Sequence, residues 1–238
     1  MKHIAILVSV LAAALLSGCA TTQRPSYTVS VNGLATQTTN AAASFVVLPG
    51  DKDVAATDLQ FQEYAGFVER ALSQRGLHRA PSVDEADMMI FLAYGIGDPK
   101  EHVYSYSLPH FGQTGVSSST TYGSIYGNSY SGTTYYTPTY GVTGYSSHVG
   151  TYVTFTRHVF IEAVDLPTYR SQKKIVQVWK TGIVSVGSSG DLRRVFPVMI
   201  GAASSYLGTN TGEIRTVDLY EDDPRVLLVK GITVEQKK

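Results

Sequence analysis

One cysteine, a handful of histidines and sixteen tyrosines are the side chains through which this 238-residue chain could do chemistry. Cys19 is the only thiol, so no intramolecular disulfide can form and stability must come from apolar burial. The histidines after His3 are His78, His102, His110, His148 and His158. None has the His-x-x-x-His or Glu-x-x-His spacing that sets two ligands on one helical face. The sequence therefore nominates no metal site and no cofactor, and scattered surface histidines are the favoured reading. A hydrolase using His102, His110 or His148 is the weakest functional reading, because no Gly-x-Ser-x-Gly elbow or placed base accompanies them, and no catalytic residue is assigned. Gly187-Ser188-Ser189-Gly190 could cradle an anion on its backbone amides. It lacks a Walker lysine, however, and Ser189 or Asp191 serves there as a helix N-cap. Gly95-Ile96-Gly97 is too short for a dinucleotide fingerprint. Glu221, Asp222 and Asp223 form an acidic turn with too few oxygen ligands for calcium.

The tyrosines are distributed unevenly. Ten of the sixteen fall in residues 103–156, a stretch with Gly, Ser and Thr and with no Lys, Arg, Asp or Glu. A tyrosine presents an apolar ring and a polar hydroxyl at low entropic cost, which suits it to adaptable recognition. Tyr122, Tyr126, Tyr130, Tyr135, Tyr136, Tyr140 and Tyr145 are the candidate interaction surface. The first reading of the segment is structural: a long excursion of β-hairpins, or a disordered insertion uncharged by composition. Contact with a protein partner comes second. Third is stacking of Tyr135, Tyr136 and Tyr140 on the sugars of a glycan or of peptidoglycan. Uncharged aromatic sequence also favours self-association, so the oligomeric state stays open.

At the N-terminus Lys2 precedes an apolar and small-residue run over residues 4–16. Leu16-Ser17-Gly18-Cys19 follows, the layout of a secretory signal. The run is short of the roughly 20 residues a membrane-crossing helix needs, and an ordinary signal with a small-residue site is the nearer rival. The four residues resemble the lipobox of bacterial lipoproteins. That resemblance implies cleavage between Gly18 and Cys19, a diacylglyceryl group on the Cys19 thiol and a fatty acyl group such as palmitate on the freed amine. Each buried methylene is worth about 0.8 kcal/mol, so two or more chains hold where one binds marginally. Ala20, in place of the aspartate that retains such proteins at the inner membrane, implies sorting to the outer membrane. The expectation is a domain anchored by lipid in the cell envelope, facing the periplasm, with an envelope protein or peptidoglycan as its partner.

Loss of residues 1–18 leaves 220 residues, with 18 basic and 19 acidic side chains because Lys2 alone is removed from 19 of each. That balance gives no electrostatic case for nucleic acid, and the length suits one domain with a substantial core. Residues 19–44 read as the lipidated N-terminus and a tether, interrupted by a short strand where Tyr27, Val29 and Val31 alternate with Thr28 and Ser30 up to Asn32-Gly33. A single domain over residues 45–234 follows, with residues 103–150 as a Tyr/Gly/Ser-rich insertion and residues 235–238 as a frayed tail. Phe45-Val46-Val47-Leu48 is a buried strand closed by Pro49-Gly50. A helix over residues 58–75 opens with Thr57 and Gln60 as a capping box. Gly76 takes its C′ position, with Leu77 folded back on Leu72. Residues 87–94 are apolar on both faces, as in a central strand covered twice. A strand begins at Tyr152 and runs to Leu166. After a turn it meets a second strand over residues 175–186, which contains the only tryptophan, Trp179. A second helix leads from Leu192 to Leu207, kinked or delayed in its start by Pro197. Two short strands, at residues 213–219 and 225–229, end the chain.

The order of lipobox, FVVLPG strand, amphipathic helix, ADMMIFLAYG strand, tyrosine-rich segment, Val-Trp hairpin and helix resembles a family of bacterial envelope lipoproteins. Its members carry an α+β domain of unknown function. The resemblance covers residues 45–207. It implies fold and location and brings no active site. The fold expected is α+β: a mainly antiparallel sheet, mixed if the strand at Phe45, its helix and the 87–94 strand form one β-α-β unit. Two helices pack on one face, and the tyrosine-rich excursion projects from the domain.

Overall fold

The computed structural model describes residues 24–36, 43–126 and 129–233, with backbone alone at Ile125, Tyr126 and Tyr130. The expected signal peptide, Gly18 and Cys19, residues 37–42 of the expected connection and the tail at 235–238 lie outside the described residues. The architecture is α+β on a mixed, mostly antiparallel sheet. Its strands are β1 (Ser26–Ala35), β2 (Ser44–Pro49), β3 (His78–Arg79), β4 (Met88–Ile96), β5 (Lys100–Tyr126), β6 (Ser129–Asp165), β7 (Gln177–Gly187) and β8 (Arg215–Tyr220). Four described helices accompany them: α1 (Leu59–Gln74), α2 (Leu166–Gln172), α3 (Leu192–Ala203) and α4 (Pro224–Val229). The strand order is β3-β2-β4-β6-β7-β1-β8, and β5 pairs with β6 off this path. The chain divides into two compact units. One contains the described residues up to Ile96 together with Arg157–Val186 and those from Asp191, and the other is Gly97–Thr156 with Gly187–Gly190.

In the first unit β2 and β4 run parallel, with Phe45 opposite Met88 and α1 as the crossover, so the β-α-β unit that the sequence left open forms and the sheet is mixed. The core lies between one face of the sheet and α1, α3 and α4. Phe45, Ile90, Leu92, Ile161, Trp179 and Ile183 from the strands meet Tyr64, Phe196 and Met199 from the helices. The rings of Tyr64 and Phe196 stack at 4.0 Å and 8° between planes. β4 is central, as its two apolar faces require. The faces are covered unequally: Met88, Ile90 and Leu92 are buried, whereas Met89 is half-buried against a small cluster of Ala80, Ala86 and Leu166.

Five local expectations are corrected. The α1 cap is Asp58, whose carboxylate accepts from Phe61 N–H at 2.8 Å, so the Thr57–Gln60 capping box does not form. At the other end of α1 the Schellman geometry is present: Gly76 has φ 87°, Leu77 N–H donates to Leu72 C=O at 3.3 Å, and Gly76 N–H donates to Ser73 C=O at 3.0 Å. β1 does not stop at Asn32-Gly33. It runs to Ala35 and lies between β7 and β8, with Gly33 opposite Thr181. The turn after β6 contains helix α2, capped by Asp165 accepting from Thr168 N–H at 2.8 Å. Pro197 delays nothing, since α3 starts five residues ahead of it at Leu192. Residues 225–229 are helix rather than strand, because Asp223 caps α4 and Pro224 fits its first turn.

Candidate functional site

The second unit is built from two strands. Residues 100–126 of β5 pair antiparallel with residues 129–154 of β6, from Lys100 opposite Thr154 to Tyr126 opposite Ser129. None of its described residues is buried. The tyrosine-rich segment is thus a long ribbon, and β6 begins at Ser129 rather than at the expected Tyr152. Thr, Tyr and Val favour the pleated conformation.

The candidate surface tyrosines stand out along this ribbon. Tyr122, Tyr135, Tyr136, Tyr140 and Tyr145 are between 63% and 73% exposed, and the side chains of Tyr126 and Tyr130 lie outside the described residues. Tyr122 and Tyr135 share a face and meet edge to face at 6.1 Å. With Thr120 and Thr133 they line a shallow open depression. Thr121 and Thr134 face each other at 2.8 Å between hydroxyls.

Nearer the base, register brings together a set of rings that the sequence reading did not group. His102 stands opposite Tyr152, Tyr104 opposite Gly150 and Tyr106 opposite His148. Cross-strand and next-but-one neighbours on one face then form a continuous row. His102 stacks on Tyr152 at 4.9 Å, Tyr152 meets Tyr104 at 6.0 Å, Tyr104 stacks on Tyr106 at 5.9 Å, and Tyr106 stacks on His148 at 5.5 Å. Gly150 makes the row possible, because a Cβ there would lie 2.6 Å from Cζ of Tyr104. The Tyr104 ring lies over the glycine backbone. Tyr104, Tyr106 and Tyr152 remain 49%, 44% and 51% exposed.

The histidines do not converge. His102 Nε2 bonds Thr154 Oγ1 at 2.9 Å, and His148 Nε2 bonds Ser146 Oγ at 2.8 Å. His110 stands opposite Gly144. The three thus follow one another at four-residue steps along the ribbon, about 13 Å apart at the rise of a strand. That separation rules out one shared reaction centre. Among the described residues there is no group of three His, Cys, Asp or Glu side chains that could hold a metal. His78 lies exposed on β3, and His158 lies over Gly95, whose Cβ would meet its ring at 2.7 Å.

The other candidates resolve into structural roles. Asp191 caps α3, accepting from Arg194 N–H at 3.1 Å, which puts a carboxylate where an anion would sit. In the second unit Gly190 packs on the Phe155 ring, with only 3.1 Å for a Cβ. The acidic turn is divided among partners. Glu221 accepts from the Tyr27 hydroxyl and from Arg194 Nε at 2.6 Å, Asp222 pairs with Arg24 at 2.6 Å, and Asp223 pairs with Arg225 at 3.0 Å. Burial, then the bond to Glu221, pushes Tyr27 up to about 12. The Tyr27 bond in turn holds Glu221 below the usual carboxylate range. On the sheet face away from α1 and α3, a cavity of about 360 Å³ is lined by Asn32, Leu34, Phe160, Glu162, Lys180 and Gly182. Among the described residues no helix is long and apolar enough to cross a membrane.

No protein-family model and no curated protein matches this chain. Among solved structures, the chain is similar to the crystal structure of a PDZ domain protein from Parabacteroides distasonis, at 11% identity and a TM-score of 0.36. The match covers 88% of this chain and 42% of that one, so the chain spans less than half of its neighbour's length. A likeness of that size carries no argument about function.

Proposed function

We propose that this chain is a non-enzymatic component of the bacterial envelope that works by contact, held to the outer membrane by lipid on Cys19 and facing the periplasm. The anchor rests on Leu16-Ser17-Gly18-Cys19. One observation carries the contact reading: a two-stranded ribbon of some fifty residues, none buried among those described and none charged between Val103 and Thr156, displaying tyrosine rings along its length. A ribbon of this length whose described residues add nothing to a core serves what lies outside the chain. Pull-down from detergent-solubilised membranes with the full chain, and with a chain lacking residues 111–148, tests it. Partners are expected to be lost with the ribbon, and identical partner sets would end the reading.

A second reading is favoured by the ring row. Half-exposed tyrosine rings in a row, with Tyr104 held over Gly150, offer a stacking platform for the apolar face of a sugar. The platform is Tyr104, Tyr106 and Tyr152, rather than Tyr135, Tyr136 and Tyr140. Sedimentation with purified peptidoglycan sacculi should weaken when the first three are changed to Ala and persist when the second three are. Equal binding by both variants would exclude it.

A further inference from the structure

In an antiparallel pair, alternate residues turn both backbone groups away from the partner strand. A two-stranded ribbon therefore presents unpaired donors and acceptors along both of its edges. Proteins blunt such edges with charge, proline or bulges. The lower ribbon has such devices: Pro109, Pro138 and register shifts at His110/Phe111, Gln113/Gly115 and Val116/Ser118. Beyond the last shift nine consecutive residue pairs, Ser118 opposite Thr137 to Tyr126 opposite Ser129, run without interruption. Neither proline nor charge occurs in them. Thr133-Thr134-Tyr135-Tyr136-Thr137 is made wholly of β-branched and aromatic residues, the composition of segments that stack in register.

We infer that residues 118–126 and 129–137 pair edge to edge with the same residues of a second copy of this chain, joining the ribbons of neighbouring molecules into a continuous sheet. The occupant is a copy because the segment carries no charge to steer a charged partner or to repel its own kind. Its internal pairings already show what self-pairing would extend: Thr121 on Thr134 at 2.8 Å and Tyr122 on Tyr135 at 6.1 Å. Thr–Thr and aromatic pairs of this kind are among the favourable cross-strand contacts. Two strands alone are marginal in water, and independent stability needs three or more strands or a packed face. A second ribbon supplies the added strands where the described residues of one ribbon form no core of their own.

The inference rests on the reading of the ribbon as a contact surface, and the test separates the two. In cells of a Gram-negative host, the full chain carries the photo-crosslinking residue p-benzoylphenylalanine in place of Tyr136. Two differently tagged copies are expressed together. The expected product has twice the chain's mass, carries both tags and joins position 136 to peptides of residues 118–137. Thr134→Lys, which puts like charges side by side, is expected to lower its yield at least tenfold, while Thr134→Val keeps it. Independently, the detergent-extracted chain should sediment as a dimer or larger, and a chain with residues 101–153 replaced by Asn-Gly as a monomer. Crosslinks to a different protein or to sugar would overturn self-pairing and leave the contact reading standing. The absence of any intermolecular product would overturn both, and an unchanged yield for Thr134→Lys would overturn edge pairing.

Discussion

The Tyr27 hydroxyl and the Glu221 carboxylate are held in opposite protonation preferences by one hydrogen bond. Burial and that bond keep Tyr27 protonated up to about 12, while Glu221 stays ionised below its ordinary value. A folded-state pKa raised above the unfolded value of about 10 contributes stability that is whole below about pH 10 and is lost as pH rises through about 12. Tyr27→Phe is therefore expected to cost about 1.5 to 3 kcal/mol near neutral pH, the range for a hydrogen bond to a charged group. The gap between wild type and variant should close as pH climbs from about 10 toward 12. Urea titrations of both proteins across that window measure it, and a gap independent of pH would place the cost in packing instead. The depressed Glu221 gives the mirror case: its contribution is present above the unfolded carboxylate value and is lost as pH falls through the lower folded one.

Among the elements, caps and glycines decide what a periodic pattern leaves open. Asp58, not Thr57, satisfies Phe61 N–H, so Asp58→Ala is expected to cost about 1 kcal/mol. Thr57→Ala should cost no more than a few tenths, as for an ordinary surface change, and thermal melts of the two variants decide between the caps. At Gly33 the sequence suggested a stop, since Asn-Gly marks turns. The structure instead requires glycine because the chain crosses β1 there: a Cβ would lie 2.6 Å from Thr209 C=O, while Thr211 N–H donates to Gly33 C=O at 3.0 Å. Gly33→Ala should then destabilise by about 1 to 3 kcal/mol, the cost of overpacking, read as a lowered urea midpoint. The same contrast explains what was legible. α1 and β4 are long enough for period 3.6 or 2 to be unambiguous, whereas the parallel β2–β4 pairing was only one of the connections they allowed. Arg225-Val226-Leu227-Leu228-Val229 is too short to separate strand from helix by period, and Asp223-Pro224 ahead of it was the better signal. The exposed tyrosines were visible from composition. The five-ring row was not, because His102 and Tyr152 are fifty residues apart and only register makes them neighbours.

For the molecule as a whole, the consequence of a ribbon none of whose described residues is buried is that its removal should leave the other unit's core intact. Every residue of the principal core cluster belongs to the unit formed by the described residues up to Ile96, Arg157–Val186 and those from Asp191. Stability on folding tracks apolar area taken from water, and the ribbon takes almost none. Lys100 and Thr154 face each other across the ladder, so an Asn-Gly turn in place of residues 101–153 closes the hairpin with the twist strands prefer. The shortened chain is expected to keep the urea midpoint of the full chain at low protein concentration, within about 0.5 kcal/mol, as distant independent sites do. Its denaturant slope should fall little, because that slope reports the area exposed on unfolding. A shortened chain that loses more than about 2 kcal/mol would mean that the ribbon stabilises the fold in the single molecule. Its uncharged length would then be a structural requirement rather than a surface offered to others.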